Sequence, residues 1–311
     1  NVFIENSGFY STVTSGGRGN AIYLARGLPI ATIANNNKFV DCGTSKTGSV
    51  IESEAKEFVF DSNNIQFTTP NQGVRGIHFP CQCTVKISNS SISGCNSNGE
   101  GGGILFNGDT SNQPEFIQIE TTVFENNNAT NGCALLMRIR ALPNITACTI
   151  RNHVSGKYIF CIFYQVKLLD EVSLEKCTFE GNYFNIGTGP NDSSDGGGSG
   201  IWVAARQYLY DGAYPVGINS CIFRNNRAAK YGGAFAYGNS NTLKKIMVNF
   251  RNCEFSGNVA EGERGGAIWI NTESECTIDG CSFNNDQVSN SANKFGHAVY
   301  ADASSRVYIT D

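Results

Sequence analysis

The 311-residue sequence carries little charge: Asp, Glu, Lys and Arg make up 16% of it, and the formal net charge is -4. No basic run is present and the aromatic residues do not alternate with Lys and Arg, which excludes the electrostatic footprint of nucleic-acid binding. Long apolar stretches are missing too. The longest, Tyr158 to Tyr164, is one strand long, far short of the ~18 residues of a membrane-spanning helix, so membrane insertion is not expected. The three histidines, His78, His153 and His297, are scattered and lack metal-site spacing, and no cofactor or metal is expected. No segment sustains a helical period, which leaves an all-β chain. The sequence shows neither an initiator Met nor a signal peptide, so a processed form or a fragment is expected.

What the sequence does contain is a repeat. A small residue, here called the pivot, recurs as Ser90, Thr122, Cys148, Cys177, Cys221, Cys253 and Cys281. Three residues before it stand Ile87, Ile119, Ile145, Leu174, Ile218, Phe250, Ile278 and Ile309, all apolar. Two residues after it come Ile92, Phe124, Ile150, Phe179, Phe223, Phe255 and Phe283, and five after it Cys95, Asn127, His153, Asn182, Asn226, Asn258 and Asp286. Alternating apolar positions bounded by turn residues indicate short strands with one buried face, and the three-residue step into the pivot requires a bend. Glycine pairs open a further strand in Gly101-Gly102-Gly103-Ile104, Gly232-Gly233-Ala234-Phe235 and Gly265-Gly266-Ala267-Ile268. Stacking such units in parallel buries one continuous core, which is a solenoid.

One domain is expected over 1–311, a parallel β-helix of about ten coils without terminal caps, irregular in 1–83 and regular in 84–311. A polar insertion at 183–200 is pushed out as a loop. Its Asp192 and Asp195 match no calcium-binding spacing, so a solvated loop is expected. The two ends of the chain read as halves of one unit. Continuing from Val307, Ile309 and Asp311 into Asn1, Val2, Phe3 and Asn6 of another copy puts Asn1 at a pivot, Phe3 on Phe283 and Asn6 on Asp286, which predicts head-to-tail assembly with itself through these residues.

The ordered recurrence of Phe-x-x-Asn (Phe3 to Asn6, Phe124 to Asn127, Phe179 to Asn182, Phe223 to Asn226, Phe255 to Asn258) and of Gly-Gly-Ala-Ile (Gly265 to Ile268, with Gly232 to Phe235) resembles the repeats of chlamydial polymorphic outer membrane proteins. That resemblance spans residues 84 to 311 and the first 25. It implies a right-handed parallel β-helix on an extracellular, often adhesive, surface protein. The membrane-inserted barrel of those proteins has no counterpart in this sequence, so anchoring does not carry over.

Twelve cysteines without a Cys-x-x-Cys pair point to disulfides and an oxidising compartment, extracellular or at the cell surface. The candidates are the column Cys148, Cys177, Cys221, Cys253 and Cys281, together with Cys276, Cys81 and Cys83; buried thiols packing as small apolar groups are the alternative. Acceptors for N-linked glycans occur at Asn89, Asn128, Asn144 and Asn191. The column five residues after the pivot reads as a structural amide ladder more than as a ligand site.

Catalysis needs clustered carboxylates or a base near a metal. The outward position two before the pivot reads Ser88, Glu120, Thr146, Glu175, Asn219, Arg251 and Asp279, with no carboxylates on adjacent coils, so no enzyme is expected. Arg251 and Asp279 are adjacent there and read as a cross-coil ion pair. The leading expectation is a structural subunit of an extracellular fibre or surface appendage. An adhesin module binding surface glycans is the alternative, and a polysaccharide lyase or hydrolase a remoter one.

Overall fold

The computed structural model describes residues 1–12, 19–43, 48–69, 73–81, 83–107, 115–138, 141–155, 160–164, 172–184, 200–205, 214–238, 246–262, 264–270, 274–289 and 296–311. Among them every regular element is a strand, and every pairing within the sheets is parallel and joins successive coils. Three long sheets of 11, 10 and 10 strands wrap a single core, with a five-stranded and a two-stranded ribbon between the second and the third. The chain is therefore a parallel β-helix.

Each coil starts with a first-sheet strand whose inward residues are three and five before the pivot. In Ile246–Arg251, Val248 and Phe250 are buried while Met247, Asn249 and Arg251 face out. In register, Phe250 stacks between Ile218 and Ile278. The residue just before the pivot then adopts a left-handed backbone: Asn89 (φ 49), Thr121 (φ 46), Ala147 (φ 54), Lys176 (φ 54), Ser220 (φ 53), Asn252 (φ 51). One such residue turns the chain and resets its parity, which is why the pivot points inward three residues after the last inward side chain. Left-handed backbone is disfavoured for Ala, Thr and Lys; here the in-register coils on either side hold it in place.

The second sheet buries the aromatic position. Rings of Phe179, Phe223, Phe255 and Phe283 stack at 4.9, 4.9 and 4.8 Å with interplanar angles of 6, 4 and 5°. A second left-handed residue follows, at Asn126, Asn152, Gly181, Asn225, Gly257 and Asn285. It lies four residues after the pivot, so the left-handed corner belongs to that position and not to the Asn column one step later. The glycine pair makes the last corner. Gly232 and Gly265 take φ +56 and +62, while a Cβ on Gly233 or Gly266 would meet the carbonyl oxygen of the next coil at 2.4 or 2.0 Å. The first glycine is required by conformation and the second by close approach.

The irregular segment forms three coils whose pivots are Ser7, Asn37 and Asn63, each between a first-sheet and a second-sheet strand. This corrects the expected register of the N-terminus. Val2–Glu5 pairs with Ile30–Ala34, so Val2 and Ile4 sit over Ala31 and Ile33, facing the core, and Phe3 points outward with 62% exposure. Asn6 is the left-handed residue before pivot Ser7, and the aromatic position is filled by Phe9, stacked 4.7 Å from Phe39. Phe3 thus occupies the position of Tyr308, not that of Phe283: Val2-Phe3-Ile4-Glu5 and Val307-Tyr308-Ile309-Thr310 are the same first-sheet unit.

Candidate functional site: side-chain ladders along the axis

Five residues after the pivot, a polar ladder runs through the protein interior. Asn226 N–H and Nδ2 both donate to Asn258 Oδ1 (3.1 and 3.0 Å), and Asn182 does the same to Asn226 Oδ1 (3.3 and 2.9 Å). Nδ2 also donates to the carbonyl of the aromatic residue one coil back, as from Asn258 to Phe223 (2.9 Å) and from Asn226 to Phe179 (2.9 Å). The series runs on through His153 and Asn127 to the backbone N–H of Cys95. All of Asn127, His153, Asn182, Asn226 and Asn258 are buried, so each amide satisfies backbone groups that would otherwise be stranded at a corner. This bears out the structural reading of the column.

The ladder ends on Asp286, whose Oδ1 accepts Asn258 N–H and Nδ2 at 2.8 Å each. Its Oδ2 is buried and has no hydrogen-bond partner. By the ladder's pattern that oxygen stands where an Asn would donate to the Phe255 carbonyl. Burial raises the Asp286 carboxyl above its ordinary pKa, against the hydrogen bonds from Asn258. A raised folded pKa means stability lost as pH rises through it. Asp286→Asn is accordingly expected to stabilise the fold by about 1 to 2 kcal/mol at pH 7 and by less at pH 3, as read from thermal melts at the two values; an equal or opposite shift at pH 7 would sink this account.

The pivot column uses the same logic with other groups. Asn37 N–H donates to Asn63 Oδ1 (3.0 Å) and Asn63 N–H to Ser90 Oγ (3.1 Å), while farther along Cys177 N–H donates to Cys221 Sγ (3.4 Å) and Cys253 N–H to Cys281 Sγ (3.3 Å). The thiols donate in turn to carbonyls, as from Cys253 to Ile218 O (3.2 Å). No disulfide forms among the eleven described cysteines, the expected candidates Cys81, Cys83, Cys148, Cys177, Cys221, Cys253, Cys276 and Cys281 included. Cys276 lies in the first sheet between Val248 and Val307, with no cysteine on either neighbouring strand, and burial pushes its thiol up to about 12.

The other expected site residues are dispersed. Asn89 and Asn144 are exposed, on the first corner and the outer face of the first sheet, and Thr146 Oγ1 donates to Asn144 Oδ1 at 3.1 Å. Asn128 is exposed on the two-stranded ribbon; Asn191 and the Asp192 and Asp195 loop lie outside the described residues. Phe283, Val307 and Val2 pack against the core from its two ends, whereas Ile309 is 69% exposed and Asn1 and Asp311 are fully at the surface. Arg251 and Asp279 lie side by side in register, and Asp279 Oδ1 accepts the Thr310 hydroxyl at 2.7 Å. Cross-coil ion pairs stand elsewhere, on the first sheet between Lys86 and Glu57 at 3.4 Å and on the second between Arg151 and Glu125 and between Arg224 and Glu180, both at 2.9 Å.

Sequence reasoning passed over one titratable pair. Glu52 and His78 are neighbours on the outer face of the third sheet, Nδ1 to Oε2 3.3 Å apart, with the Glu52 side chain 8% and that of His78 15% exposed. Nearby, burial lowers the Arg75 guanidinium pKa against the opposing pull of Glu100 and Glu52, and Arg75 Nε donates to the Glu100 carbonyl at 3.1 Å. Only the third-sheet register brings these residues together, and the irregular coils hide that register by lacking the glycine pair.

Stacked parallel coils, inward ladders and glycine corners define a parallel β-helix repeat protein. The chain belongs to the right handed beta helix region family, whose model matches residues 75–283. No curated protein and no solved structure matches it.

Proposed function

We propose that the chain is a rod element of an extracellular or cell-surface structural protein, a fibre or appendage subunit whose neighbouring copies extend the same three sheets. The observation that carries this is the pair of axial ladders, in which neighbouring coils are joined at the pivot and, from Cys95 to Asp286, at the position five residues after it. Any further coil that presents a pivot and an amide prolongs such a rod, whichever copy supplies it. The recurrence of Phe-x-x-Asn with Gly-Gly-Ala-Ile supports the surface setting, with N-linked glycans at Asn89, Asn128, Asn144 and Asn191 and no catalytic role. Because Val2–Glu5 and Arg306–Thr310 both belong to the first sheet, copies meet there edge to edge, and the other two sheets must adjust by one strand at the junction.

At about 4.8 Å per coil, eleven first-sheet strands amount to an axial repeat of roughly 50 Å. Negative-stain microscopy of the purified chain at rising concentration is expected to show filaments with that repeat. A monodisperse particle at every concentration removes self-assembly. It would leave the adhesive reading, which has its own basis in a polar groove of about 590 Å³ lined by Gln66, Thr68, Ser93, Glu125, Asn126 and Asn152.

A further inference from the structure

Five thiols occupy the pivots of five consecutive coils: Cys148, Cys177, Cys221, Cys253 and Cys281. The strands flanking them are in register, Glu175 beside Asn219 and Thr178 beside Ile222 around the step from Cys177 to Cys221. Neighbouring pivots therefore stand one strand spacing apart, about 4.8 Å, within the Cα separation of about 4.4 to 6.8 Å that a disulfide spans. The sulfurs are in mutual reach. Cys177 shares side-chain hydrogen bonds with Cys148 and with Cys221, and Cys253 shares them with Cys221 and with Cys281. Each of the three inner sulfurs has an equivalent neighbour on either side.

The fold does not need sulfur at this position. Ser7, Asn37, Asn63, Ser90 and Thr122 occupy it in the earlier coils and make the same kind of corner hydrogen bonds. Thiols alone among these groups can form a covalent bond to the next coil.

We infer that the column from Cys148 to Cys281 is a site of oxidation in which disulfides form only between adjacent coils and move along the column by exchange. In the first step two neighbouring thiols yield two protons and two electrons to a diazene or disulfide oxidant. One sulfur adds to the oxidant, and the second displaces the reduced oxidant from it, leaving one S–S bond. In the second step the next sulfur of the column, as thiolate, attacks the nearer sulfur of that bond. A new S–S bond forms, the far sulfur departs and takes up the proton, and the oxidation level is unchanged. With five members, one thiol always remains, and its place is not fixed.

The test treats the folded protein with diamide, quenches in acid, unfolds, labels remaining thiols with N-ethylmaleimide and maps linked peptides. The wild type is expected to lose four of its five column thiols and to yield all four neighbour linkages, while Cys276, equally buried but with no thiol on either neighbouring strand, stays labelled. Cys221→Ser, a residue type the pivot accepts at Ser90, is expected to lose all four remaining column thiols and to give only the Cys148 to Cys177 and Cys253 to Cys281 links. More than one column thiol left labelled per wild-type chain, any left labelled in Cys221→Ser, links that skip a coil, or equal loss of Cys276 would overturn the inference. A single fixed set of links in the wild type would overturn the migration.

Discussion

Phe255→Ala destabilises the protein by about 3 to 5 kcal/mol, whereas Glu254→Ala beside it leaves stability nearly unchanged. The Phe255 ring lies between those of Phe223 and Phe283 at 4.9 and 4.8 Å, and Phe250 meets it edge-on at 5.5 Å. It is fully buried, so truncation removes the apolar area of a whole ring and leaves a void between rings that in-register strands hold one coil apart. The coils cannot close on the void without breaking the ladders on either side, which places the loss at the upper end of the range for such substitutions. Glu254 stands one residue away, exposed, between Ile222 and Ser282 on the outer face. Thermal or urea denaturation of the two variants checks the pair. Equal effects would mean that the inward and outward assignment of the second sheet is wrong.

Much of this was legible in the sequence, for a physical reason. In the regular coils the side-chain parity, the three-residue step and the glycine pair all recur at fixed spacing, and only stacked parallel strands satisfy all three. The register of the first coils was not legible. A single left-handed residue resets the parity at two corners of each coil, and an aromatic followed three residues later by Asn arises in two ways. At Phe223 and Asn226 both side chains point inward across the second corner. At Phe3 and Asn6 the ring points outward and Asn6 is itself the left-handed residue of the first corner. Pairing with Ile30–Ala34 separates the two cases, and pairing is not written in local spacing. Asn37 and Asn63 escaped notice as pivots for a related reason, since an amide serves either corner equally well.

The glycine corner shows the opposite situation. Gly265-Gly266 is readable as a pair because the two glycines answer two different demands, one on φ and one on distance to the next coil. Where a coil meets these demands otherwise, as at Gly19-Asn20, the signal weakens, although the Asn20 side chain still reaches the Ser49 carbonyl at 3.1 Å. The Glu52 and His78 pair lies among such coils, so its two residues, 26 apart in sequence, gave no local sign of meeting.

His153 takes the Asn place in the polar ladder, and it should make the protein acid-sensitive. Its Nδ1 lies 3.0 Å from the Asn127 backbone nitrogen and 3.1 Å from the Asn127 carbonyl oxygen, and Nε2 is buried without a hydrogen-bond partner. Burial lowers the His153 pKa to about 4, against a partial upward pull from the Asn127 and Phe124 backbone. In the unfolded chain the imidazole protonates near its ordinary 6.5. The folded state therefore binds fewer protons than the unfolded state between pH 6.5 and 4, and stability falls as pH drops through that window, by about 3 kcal/mol at its lower end. His153→Asn removes the titrating group and supplies an Nδ2 donor for the Phe124 carbonyl, as Asn127 Nδ2 does for that of Ile92 at 2.9 Å. Urea midpoints measured at pH 7, 5.5 and 4 are expected to diverge, the variant holding its stability while the wild type loses it. Parallel profiles would show that His153 does not enter the fold as a neutral, buried link of the ladder.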